Sequence, residues 1–165
     1  MTQQESIEHF KVSHEKLSAQ LFASTTHVWE TMLNASLETA NGCKSTNQPF
    51  PWLGSVAWIG GTWTGNIRMG VPVALGSAVT SQLLSIDNPT TKQINDTLRE
   101  IINMIAGNLK SNLPGKNGLV TPGNFQIVSI DQIKDDFYPV SIQWHKYNGT
   151  PFFTAISELV NTNKD

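Results

Sequence analysis

A chain of 165 residues holds one core-bearing domain and is too short for two ordinary ones. Apolar residues make up 39% before glycine is counted, which excludes wholesale disorder, and with only 15% charged residues the surface falls largely to Ser, Thr and Asn. The formal charge of −2 lacks the basic excess that neutralising phosphates demands, so nucleic acid is not an expected partner.

The opening MTQQESIEHFKVSHEK is polar, with no apolar signal segment behind it and no run of 18 apolar residues later, so the expected location is the cytoplasm, away from membranes. Ile7, Phe10, Leu17 and Leu21 predict a helix over 3–22. Ser24, Thr25 and Thr26 offer caps for a second helix over 25–38, whose apolar face is Val28, Trp29, Met32, Leu33 and Leu37. Asn41 to Pro51 has turn formers without a period and predicts a loop. Cys43 lies there as the only cysteine, which forbids an internal disulfide or a cysteine zinc site and fits a reducing compartment.

Ser55–Ile59 and Trp63–Met69 are β-rich runs joined by Gly60-Gly61-Thr62, a predicted hairpin. Pro72 ends the second strand and opens a helix that stops near Ser85. Asn88-Pro89-Thr90-Thr91 starts a longer helix running to about Asn112, closed by Leu113-Pro114-Gly115. Three strands are expected after it: Asn124–Ile130, Tyr138–Lys146 and Thr150–Leu159, the last two joined by a tight Asn148-Gly149 turn. Trp58, Trp63 and Trp144 fall on these strands and are expected to pack in the core, while Trp52 has no obvious place. Segregated helices and strands imply an α+β fold, an antiparallel β-sheet packed against two long helices.

The long helix carries the most information. Ile94, Leu98, Ile101, Ile102, Ile105 and Leu109 recur in steps of three, four and seven as one buried stripe. Asp96, Glu100, Asn103, Gly107 and Lys110 form a second stripe on the outer side. Glu100 and Asn103 stand about 60° apart around the axis, so a carboxylate and a carboxamide point outward together. Gly107 costs about 1 kcal/mol against alanine in a helix interior, a cost that close approach of another backbone would explain. Acid and amide on a solvated helix face are also commonplace, so the spacing alone does not identify a site.

The stretch from Glu100 through Asn103 and Gly107 to Lys110 resembles the helix of the CheC/CheX/FliY family of chemotaxis phosphatases, whose pattern is Asp or Ser, three residues, Glu, two residues, Asn, with a downstream proline. Asp96, Glu100 and Asn103 match; Pro122 stands for the proline a few residues short of the usual spacing. LFASTTHVWETMLNAS is similar to the family's first conserved helix and AWIGGTWTGNIRMGVP to its first hairpin, so the resemblance spans 21–159. Residues 1–20 read as an extension and 21–165 as the CheX-like domain. In two-site relatives the first helix repeats Glu-x-x-Asn; here Glu30 is followed by Leu33, with Asn34 one position out of register, so a single complete pair resembles CheX rather than CheC.

The resemblance implies hydrolysis of the aspartyl phosphate on a CheY-like receiver. It gives Asn103 the placing of an in-line water and Glu100 a pairing with the receiver's conserved lysine, with Asp96, Gly107 and Lys110 as further partner contacts. No cofactor of its own is implied, because Mg²⁺ comes with the phosphorylated receiver, and a homodimer is implied as in CheX relatives. A non-catalytic adaptor of the same fold, binding a signalling partner through this helix, is the alternative. His9, His14, His27 and His145 show no ligand spacing for a metal hydrolase, so no metal site is expected.

Overall fold

A computed structural model describes residues 12–40 and 48–159, with only the backbone at Val120 and Thr121. The element order is α1 (His14–Leu33), β1 (Glu38–Thr39), β2 (Trp52–Gly61), β3 (Gly65–Val71), α2 (Val73–Leu84), α3 (Thr91–Lys110), β4 (Asn117–Ile127), α4 (Ile130–Phe137), β5 (Ser141–Tyr147) and β6 (Thr150–Glu158). The six described strands form one antiparallel sheet in the order β1-β5-β6-β3-β2-β4, confirming the α+β class. Read from its two ends inward, the order is edge strand, then the two strands of a hairpin: β1, β5, β6 from one side and β4, β2, β3 from the other. Each half also has a 20-residue helix, α1 or α3, so the fold is built as two similar halves meeting between β3 and β6.

α1 and α3 lie on one face of the sheet. Leu17, Leu21, Trp29, Ile101, Ile102 and Ile105 pack there on Ile67, Met69, Phe152 and Ile156. Side chains one position along a strand point to the other face, where Phe153 and Ala155 join Trp52, Ile127 and Ile133 in a second cluster under α4. β3 is buried at every position because both faces are covered.

The two expected N-terminal helices are one. α1 starts at Ser13, whose side chain accepts from the Lys16 amide, and runs through residues 20 and 21 to an Asn34 cap in the left-handed region (φ 51°). The hydroxyls that suggest a break have partners compatible with helix: Ser24 donates to Asn108 Oδ1 at 2.9 Å, Thr25 to Thr154 at 3.3 Å, and Thr26 back to the Phe22 carbonyl. Residues 3–11 of the expected first helix, with His9, lie outside the described residues, as does Cys43.

The first hairpin forms with a longer β2 that begins at Trp52, a fully buried residue of the second cluster. Trp63 sits in the turn between strands, yet is buried and donates from Nε1 to Glu158 at 3.2 Å. Trp58 and Trp144 are half-buried; Trp144 packs on Phe153, away from the helix-side core. The strand expected over 124–130 is instead the end of β4 followed by α4, capped by Ser129 accepting from the Gln132 amide. Asn148 and Gly149, both at positive φ, close the second hairpin as expected. No helix among the described residues is long and apolar enough to cross a membrane.

Candidate functional site

α3 presents the candidate residues. Thr90 caps it, accepting from the Gln93 amide at 3.2 Å while the Gln93 side chain accepts from the Thr90 amide at 2.8 Å. This closed box fixes the first turn. The inner stripe from Ile94 to Leu109 is buried against the sheet and α1, which turns the opposite stripe outward.

On that stripe Asp96 and Glu100 are exposed, and Asn103, Gly107 and Lys110 half-buried. Asp96 pairs with Arg99 within the helix, an exposed i,i+3 pair of little energetic weight. Glu100 and Asn103 have no hydrogen-bond or ion-pair partner among the described residues. The Glu100 carboxylate is therefore open to accept from a cationic donor, and the Asn103 carboxamide to accept and donate together. Met104, 37% exposed, adjoins Asn103 and gives the face an apolar contact.

A Cβ placed at Gly107 meets only Leu119 Cδ1, at an ordinary 3.7 Å, so no backbone of the described chain needs the glycine. Pro122 lies in edge strand β4 where the register with β2 shifts between Val56 and Trp58, a place that tolerates a residue without an N–H.

A hollow of about 370 Å³ opens beside Glu100, between the ends of α1 and α2 and the first half of α3. Met32, Leu83, Leu84, Asp96 and Glu100 are among the residues that line it. Sequence reasoning missed it, since these residues come from three elements and only the stripe on α3 is periodic. In the first half, Glu30 is exposed on α1 but Asn34 has left the helix and Leu33 is buried, so no second acid–amide pair forms.

The family model for "Chemotaxis phosphatase CheX" matches residues 53–130, the first hairpin through α2 and α3 to the start of α4. Over that stretch the chain is similar to the CheX family. Its fold is similar to the chemotaxis protein CheX of Vibrio vulnificus (TM-score 0.67, 15% identity, 90% of this chain and 100% of that one). It is equally similar to a CheX from Borrelia burgdorferi crystallised as a CheX–CheY–BeF3–Mg complex (TM-score 0.67, 18% identity, 86% and 97%). The CheX of Desulfovibrio desulfuricans also matches (TM-score 0.66, 17% identity, 87% and 99%). No curated protein sequence matches significantly.

Proposed function

We propose that this CheX-like chain is an aspartyl-phosphate phosphatase acting on a CheY-like receiver, with the Glu100–Asn103 face of α3 entering the receiver's phosphorylation cleft. The observation that carries the reading is the pair itself: an acid and an amide adjacent on the outer face of a capped, packed helix, neither engaged by another described residue. The Borrelia complex, in which a CheX is bound to CheY with Mg²⁺ and beryllofluoride, supports the choice of partner.

The chemistry asks little of this chain. An acyl phosphate is already activated, and the receiver's own Mg²⁺ and lysine neutralise the phosphoryl oxygens. What is left is to hold a water in line: its oxygen bonds to phosphorus as the bond to the aspartyl oxygen breaks, releasing phosphate and a free carboxylate. The Asn103 carbonyl accepts one hydrogen of that water and aims its lone pair, with no dependence on protonation state. Glu100 pairs with the receiver lysine and sets the helix over the cleft. The reading includes a homodimer, checked by light scattering as twice the chain mass.

Phosphate release from phosphorylated receivers, with and without the protein, tests this. Acceleration is expected, and Glu100→Ala is expected to weaken affinity and rate together. Binding without faster release would make the chain an adaptor, and a Glu100→Ala variant of unchanged affinity would remove the docking role.

A further inference from the structure

We propose that Arg68, on the sheet face away from α1 and α3, is the centre of a binding site for a small free monocarboxylate such as acetate. The site is independent of the phosphatase reading and uses none of its residues.

The chain has two arginines, and they stand in opposite situations. Arg99 lies on the outside of α3 and has the Asp96 carboxylate as its partner. Arg68 is 6% exposed in the middle of β3, and no carboxylate of the described residues pairs with it. A buried charge is normally paired, because an ion taken out of water alone keeps its whole desolvation cost. Ile67 and Met69 belong to the helix-side core, so Arg68 between them points the other way, under the end of α4.

The way the guanidinium is held decides what it can take. Three rings surround it, with centres 3.4 Å (Phe137), 5.7 Å (Trp58) and 5.8 Å (Phe125) from its carbon. Rings attract the cation but leave its in-plane N–H donors unspent. Of those donors, Nη1 goes to Asn66 Oδ1 on the same strand. Nε is buried with no partner, and Nη2 has none among the described residues. Nε and Nη2 make one edge of the planar group, with two parallel N–H bonds that match the two oxygens of a carboxylate. The carboxylate-binding edge is thus the one left open, where an unspent donor is costly. Charge narrows the ligand further: Arg68 is the one cation in this cage, so a monoanion balances it and a phosphate dianion would leave a buried excess. Aromatic walls suit an aliphatic stub rather than more polar groups. Phe137, half-buried at the end of α4, closes the cage from the solvent side, its carbonyl accepting from Ser157 Oγ at 2.9 Å. A small acid enters as this ring moves aside.

The test follows the Nε–H nuclear magnetic resonance signals of the two arginines in the isotope-labelled full chain, titrated with sodium acetate and, separately, with sodium chloride at equal ionic strength. The Arg68 signal should move and saturate with acetate alone, with Arg99 as the exposed control. An Arg68 signal that stays still, or that moves with both salts in step with Arg99, would overturn the site. Thermal melting gives a second readout. At about ten times its Kd, acetate should raise the parent midpoint above the chloride value by ~3 °C or more. Arg68→Met, which has no donors, and Arg68→Lys, which keeps the charge without the fork, should lose that increment. A parent midpoint equal in the two salts, or an increment that persists in Arg68→Met, would overturn the site, and one that persists in Arg68→Lys would overturn the two-bond recognition.

Discussion

Gly107 sits one turn beyond Asn103 on the outer stripe, and nothing in the described chain crowds the place where its Cβ would be. Fold stability therefore gives no reason for a glycine. Gly107→Ala is expected to raise stability by about 1 kcal/mol, read by urea unfolding, and to weaken receiver binding if a partner backbone passes over this turn. A stabilised variant with unchanged binding would take Gly107 out of the interface. His145 carries a different consequence. Its ring lies between Phe22 and Phe152, bonded among the described residues only to Thr154, and burial pushes its pKa down to about 4. The unfolded chain takes up this proton near 6.5 and the folded chain only near 4, so stability falls as pH drops through that window. The group accounts for about 3 kcal/mol of that loss. Equilibrium unfolding at stepped pH should show a shallower decline in His145→Phe than in the parent. Arg68 is the other shifted group: desolvation brings it down to about 10, still charged at neutrality, with its guanidinium 3.4 Å from the centre of the Phe137 ring.

At the scale of elements, α3 was legible in advance because two independent signals agree on it. Asn88-Pro89-Thr90-Thr91 marks its start, where the Thr90–Gln93 box forms, and isoleucines and leucines at helical steps mark its inner side. Thr90→Ala removes one acceptor from the box and should cost about 1 kcal/mol, measured as a lowered urea midpoint at unchanged slope. α1 was misread because Ser24, Thr25 and Thr26 serve equally as caps or as interior hydroxyls. The choice between them is made by Asn108 and Thr154, far away in sequence. α4 was missed although Ser129 and Gln132 mark its start, because Ile127, Val128 and Ile130 continue a β-branched run. Only the second cluster, with Ile133 fully buried beneath it, selects helix there. The acid–amide pair was visible as spacing, but its openness to solvent depends on packing, and the neighbouring hollow depends on three chain segments meeting.

At the scale of the molecule, two similar halves share a sheet and differ in what their helices show to solvent. α3 carries Glu100 and Asn103 outward; α1 carries Glu30 but ends before Asn34 can stand beside it. Among the described residues one chain thus offers one acid–amide pair, and on the proposed reading a single substitution there should remove most of the acceleration. The measurement that bears most directly on this is the rate of phosphate loss from one phosphorylated CheY-type receiver, with the parent protein and with Asn103→Ala at saturating concentrations. The parent should accelerate the loss, and Asn103→Ala should lose about a hundredfold of that acceleration, roughly 3 kcal/mol if one positioned polar group is worth a lost oxyanion donor, while binding the receiver as tightly. Equal acceleration by the two proteins would contradict the account.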